Sequence, residues 1–106
     1  MTDKQIIERA VNRIPGARLI RCSLILSDES IRVAFNPLES HDDAQLLIDE
    51  AGRLGLWGEF TSELRLQNDG WEETHYWYAD MYLSLSPRQK TLAAIAAIEK
   101  KEADHG

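Results

Sequence analysis

Apolar residues recur at Ile6, Ile7, Ala10, Val11 and Ile14, spacings of three and four that gather on one side of a helix. Thr2 and Gln5 bracket its start as a capping box, each side chain serving a backbone N–H that the first turn leaves free. Pro15-Gly16 stops it, since proline cannot continue the ladder and glycine tolerates the turn. Over residues 18–26 the period changes to two. Ile20, Cys22, Leu24 and Leu26 fall on one face and Arg21 and Ser23 on the other, which Leu19 and Ile25 share. Asp28-Glu29-Ser30 then predicts a turn, after which Ile31, Val33 and Phe35 alternate with Arg32, Ala34 and Asn36. The expectation is a hairpin.

Asn36-Pro37 ends that sheet segment, and Ser40 followed by Asp43 caps a second helix with buried positions Ala44, Leu47, Ile48, Ala51 and Leu54. Gly55 falls where a left-handed residue closes a helix, with Leu56 as its apolar partner. Phe60, Ser62, Leu64 and Leu66 predict a third strand, Asn68-Asp69-Gly70 a turn, and residues 72–85 a long fourth strand. Ser86, Pro87 and Gln89 supply cap, first-turn proline and capping-box partner for a last helix. Its apolar face is Leu92, Ile95, Ala96 and Ile98, and a charged tail from Glu99 is expected to fray. The predicted fold class is α+β, in the order α-β-β-α-β-β-α over a single domain of residues 1–106. Two hairpins merge into one four-stranded, mainly antiparallel sheet covered by three helices, on one face or on both.

The fourth strand departs from simple alternation. Trp77, Ala79, Met81, Leu83 and Leu85 form one apolar face, while Tyr76, Tyr78, Asp80, Tyr82 and Ser84 form the other. Trp71, Glu72, Glu73 and His75 lie at its entrance. Two readings stand. Helices on both sides would bury the tyrosine rings and let their hydroxyls reach water. An open face would make Trp71, Glu72, Glu73, Tyr76, Tyr78, Asp80 and Tyr82 a partner-binding surface, because Tyr and Trp bury large area at low entropic cost.

Charge sharpens the second reading. The chain of 106 residues carries a net charge of −6. Its first quarter is basic, with Lys4, Arg9, Arg13, Arg18 and Arg21 against Asp3 and Glu8. The acidic residues concentrate between Asp28 and Asp80. Such a middle repels phosphate, which argues against direct nucleic-acid binding, and attracts a protein with a basic surface. No run is long and apolar enough to span a bilayer, and the start lacks a secretory pattern. The one cysteine, Cys22, cannot form an internal disulfide, in keeping with a reducing cytoplasm.

Chemistry has little to build from. There is no Walker loop, no glycine-rich dinucleotide fingerprint and no cysteine pair for zinc, so no cofactor and no metal are implied. His41-Asp42-Asp43 is explained by helix capping, since acids favour the positive end of a helix dipole. Cys22, on the apolar face of its predicted strand, is expected to be a buried small hydrophobe rather than a nucleophile.

Phe35-Asn36-Pro37 leading into a helix, the tryptophans Trp57, Trp71 and Trp77, and the closing run Leu92-Ala93-Ala94-Ile95-Ala96-Ala97 resemble small phage and prophage proteins of the ABA-sandwich type. The resemblance spans residues 35–98. It implies helices on both faces of a sheet and a phage or mobile-element origin, and it implies no activity.

The expected function is therefore that of a small acidic phage-type or prophage-type accessory protein acting by protein–protein binding in the host cytoplasm. An inhibitor of a host defence or nucleic-acid-binding protein, in the manner of an anti-CRISPR decoy, fits this description. Two alternatives stand beside it. One is a homo-oligomerising structural module, a homodimer with the tyrosine face as seam. The other is a small ligand-binding protein or enzyme with a pocket near His75.

Overall fold

The structure, a computed structural model, describes residues 2–67 and 85–105. Helix α1 (Asp3–Asn12) starts as its sequence predicts: the Thr2 amide donates to Gln5 Oε1 at 2.9 Å, and the Gln5 amide donates to Thr2 Oγ1 at 3.2 Å. Ile6, Ala10 and Val11 are its buried side chains. Gly16 turns the chain at φ +74°, where a Cβ would lie 2.8 Å from Ser27 Cβ. Conformation and space both demand glycine there.

The continuous strand expected over residues 18–26 is two strands. β1 (Arg18–Ile20) and β2 (Ser23–Ile25) pair antiparallel, with Leu19 opposite Leu24. Arg21, at φ 58°, makes the reversal. A two-residue loop keeps the alternation of apolar and polar residues intact, so periodicity alone reads straight through it. The expected turn at residues 28–30 does form: the Ser30 amide donates to Asp28 Oδ1 at 3.0 Å, and β3 (Ile31–Arg32) pairs with β2. Among the described residues the sheet has three strands in the order β1-β2-β3, where four were expected.

Splitting the strand changes which residues share a face. Leu24 is fully buried and packs with Val11, Phe35 and Leu19, so the inner side of the sheet lies against α1 and against Leu46 of the next helix. Ile20 and Cys22, expected beside Leu24, are exposed. Ile31 and Val33 are exposed as well, and Arg32 turns inward.

Helix α2 (His41–Arg53) is capped by Ser40, which accepts from the Asp43 amide at 3.2 Å. It ends as expected: Gly55 has φ +75°, the Leu56 amide reaches the Ala51 carbonyl at 2.9 Å, and Leu56 packs on Ala51 and Ile98. The third strand expected around residues 60–66 is instead helix α3 (Trp57–Gln67). Phe60 and Leu64, four apart, are fully buried, while Leu66 is exposed. An i, i+4 pair with one further leucine satisfies period two as well as period 3.6, and burial against a neighbouring helix decided between them.

Helix α4 (Pro87–His105) carries the expected box, with Ser86 donating its amide to Gln89 Oε1 at 3.0 Å and accepting from the Gln89 amide at 3.2 Å. The tail beyond Glu99 continues as helix rather than fraying. The described residues therefore hold four helices where three were expected. α4 packs chiefly against α2 and α3, and Ala93, Ala94, Ile95 and Ala97 are buried in the main core with Leu47, Ile48, Phe60 and Leu64. Thr91 Oγ1 donates to the Pro37 carbonyl at 2.7 Å within this core.

Leu64→Ala should cost about 2–5 kcal/mol by chemical denaturation, whereas Leu66→Lys should stay within about 0.5 kcal/mol. Equal losses at the two positions would point back to a strand, in which both side chains share a face.

Candidate functional site

The surface expected from Trp71, Glu72, Glu73, Tyr76, Tyr78, Asp80 and Tyr82 lies outside the described residues, as do His75 and the whole fourth strand. Among the described residues, function has to be sought in surfaces and charge.

Two former candidates for chemistry are now placed. Asp43 is buried and committed to structure: its Oδ1 accepts from Arg32 Nη1 at 3.2 Å, and its Oδ2 accepts from the Asn36 amide at 2.9 Å. It thereby ties the start of α2 to the end of the sheet. Asp42 is exposed in the first turn, and His41 Nδ1 lies 3.4 Å from Lys90 Nζ. Burial pushes the Lys90 ammonium below its ordinary pKa, because the charged form loses water. Cys22 corrects the sequence expectation outright. It sits at the tip of the first hairpin, exposed beside a hollow of about 300 Å³ lined by Lys4, Ile7, Leu19, Arg21 and Phe35.

The main polar network joins α1 to α4. Glu99 accepts from Arg9 Nε at 3.1 Å and from Arg13 Nη2 at 3.0 Å, and Arg13 also approaches Glu102 at 3.5 Å. The Arg9 hydrogen bond, with help from Arg13, holds the Glu99 carboxyl below the usual carboxylate range. A cleft of about 340 Å³ beside it, lined by Arg13, Glu50, Leu54, Ile98 and Lys101, runs between the C-terminal ends of α1 and α2 and the last turns of α4. Lys101 Nζ is spent there on the Leu54 carbonyl at 2.9 Å, and Glu50 is bound to Arg53. The cleft walls are thus engaged with one another, and the arrangement braces the helix ends.

Two surfaces are left. The first is acidic. Glu29 pairs with Arg18 at 3.7 Å, Asp43 with Arg32 and Glu50 with Arg53, whereas Asp42, Asp49 and Glu59 are exposed on α2 and α3 with no ion pair among the described residues, Asp49 accepting only from Gln45 Nε2 at 2.9 Å. The second is the outer side of the sheet, where Ile20, Ile31 and Val33 are 52%, 61% and 80% exposed. Sequence reasoning set Ile20 on one face with Leu24, and Ile31 and Val33 in one alternating set with Phe35, whereas Leu24 and Phe35 are buried and these three are not. The missed signal is the parity change of a two-residue hairpin at Arg21-Cys22, which carries neither glycine nor asparagine to mark it.

The chain matches no protein-family model, and no curated protein or solved structure is significantly similar to it.

Because Glu99 is depressed in the folded protein, its contribution is complete above the ordinary glutamate range and is lost as pH falls through the lowered value. Glu99→Gln should reduce stability in urea titrations at pH 7, and its difference from the wild type should shrink below about pH 4. A gap that stays constant from neutral to acid pH would show that the Arg9–Arg13–Glu99 network contributes nothing electrostatic.

Proposed function

We propose that this protein works by binding another protein through an acidic surface, as an accessory or inhibitory factor of the kind phages and prophages carry. The reading rests on Asp42, Asp49 and Glu59, which are exposed and make no ion pair among the described residues, while Glu29, Asp43 and Glu50 are each paired with an arginine. Carboxylates without cationic partners keep their full field at the surface, which steers a basic partner and repels phosphate. A decoy competing for a basic, nucleic-acid-binding surface would use that field.

Glu72, Glu73 and Asp80 extend the acidic sequence, and Trp71, Tyr76, Tyr78 and Tyr82 would supply the rigid aromatic contacts that hot spots favour. The resemblance of residues 35–98 to phage ABA-sandwich proteins supports the biological setting and identifies no partner. Inhibition is then a matter of occupancy: the protein covers a basic surface that a nucleic acid would otherwise fill, and no bond is made or broken.

Partners recovered from a host lysate at low salt, identified and then titrated calorimetrically, provide the test. Affinity should fall steeply between 50 and 500 mM salt, as screening lengths shorten to a few ångström. Asp42→Lys with Asp49→Lys should weaken binding about tenfold or more, and Glu72→Lys with Glu73→Lys should do the same. Affinity indifferent to salt and to both reversals would defeat the acidic-surface reading.

A further inference from the structure

We propose that the outer face of the three-stranded sheet is the seam of a two-fold dimer of this chain. The antiparallel register assigns the faces. Leu19, Leu24 and Arg32 stand in one cross-strand row, directed toward α1 and α2, where Leu24 is fully buried and Arg32 meets Asp43. By alternation Arg18, Ile20, Ser23, Ile25 and Ile31 stand on the opposite side. Ile25 is the direct partner of both Arg18 and Ile31, and Ile20 is the partner of Ser23. Val33 follows β3 directly, in the turn where Ala34 takes φ 55° and from which the Phe35 amide reaches the Cys22 carbonyl at 2.8 Å.

The outer face is thus the row Arg18–Ile25–Ile31 and the adjacent pair Ile20–Ser23, the second line being extended by exposed Val33 just past the end of β3. One exposed isoleucine would need no explanation. Four β-branched apolar side chains in two neighbouring rows form a continuous patch about 10 Å across, the width of two strand spacings. Ile20, Ile31 and Val33 each expose more than half of their surface.

The layout of this patch favours a second copy over other occupants. A two-fold axis running parallel to the strands, above β2 and midway between two facing sheets, places β1 of one chain over β3 of the other. It then sets Ile20 against Val33 of the second copy, Ile25 against its own counterpart, and the stem of Arg18 against Ile31. The same rotation carries Arg18 toward Glu29 of the second copy. Within one chain these two charged groups are only 3.7 Å apart and both are mostly solvated. Across the seam they become reciprocal oppositely charged pairs, which is what an isologous interface requires.

Charge distribution agrees. Self-association of a chain with net charge −6 is least opposed at its basic first quarter, to which β1 with Arg18 belongs. Sheets meeting through side chains lie about 10 Å apart, close enough for the quartets to interdigitate. The seam is small beside the roughly 800 Å² per partner of a standard interface, so a dimer of micromolar strength is expected. Dimerisation on this face is independent of the acidic surface on α2 and α3 and would present that surface twice.

Sedimentation velocity over 1–200 μM, with thermal unfolding followed by circular dichroism, tests the seam. The wild type should pass from monomer to dimer across that range. Ile31→Lys and, separately, Val33→Lys should raise the dissociation constant at least tenfold while leaving the melting temperature of dilute monomer unchanged. Arg18→Glu and Glu29→Arg should each weaken the dimer, and the double exchange should restore it. A wild-type protein that stays monomeric at 200 μM overturns the proposal. So does a dimer that Ile31→Lys and Val33→Lys leave intact, including one that only Tyr78→Glu dissociates.

Discussion

The packing of α4 between α2 and α3 is the interaction on which the rest depends. Ala93, Ala94 and Ala97 present almost no side-chain bulk, so the partner helices can approach closely on both flanks, with Leu47, Ile48, Phe60 and Leu64 filling the space between them. Thr91 belongs to the same surface and spends its hydroxyl on the Pro37 carbonyl. That bond satisfies a buried acceptor and anchors to the central helix the segment that leaves the sheet. Helix α1 is attached by Ile6 and Ala10 in the core, by Arg9 and Arg13 on Glu99, and by Asp3, which accepts from Arg88 at 2.8 Å.

The sheet is secondary to this helical frame. Its strands are two or three residues long, too short to stand alone in water, and only Leu24 is fully buried within them. It is held from behind by Val11, Phe35 and Leu46, and at its end by Asp43, whose carboxylate binds Arg32 and the Asn36 amide together. One helix cap thus sets both the start of α2 and the orientation of β3. With its inner side committed to the helices, the sheet turns Ile20, Ile25, Ile31 and Val33 the other way.

These constraints separate two surfaces on one small molecule. The helices α2 and α3 expose unpaired carboxylates, suited to long-range attraction of a basic protein. The sheet exposes aliphatic side chains with one cation and one anion at their rim, suited to short-range contact with an identical surface. Self-association would double the acidic field without any new chemistry, raising avidity for an extended basic partner.

The sequence by itself determined the ends of the elements. The Thr2–Gln5 box, the Ser40 cap, the Gly55 closure and the Ser86-Pro87-Gln89 start are all formed as written, because capping is local: the groups concerned lie within five residues of one another. The α+β class was legible for the same reason. Tertiary structure alone decided what lay between those ends. Phe60 and Leu64 read as a strand until α4 offered a surface at helical spacing. The alternation over residues 18–26 hid a hairpin, because a two-residue reversal leaves the period untouched while exchanging the faces. The Arg32–Asp43 pair then fixed which face looked inward. Burial of Cys22, and with it the expected apolar side of the sheet, was lost at that step. The aromatic segment from Trp71 to Tyr82, where the sequence placed its binding surface, lies outside the described residues and remains a reading of composition. Periodicity states how often side chains return to a side; only contacts between distant segments state which side meets water.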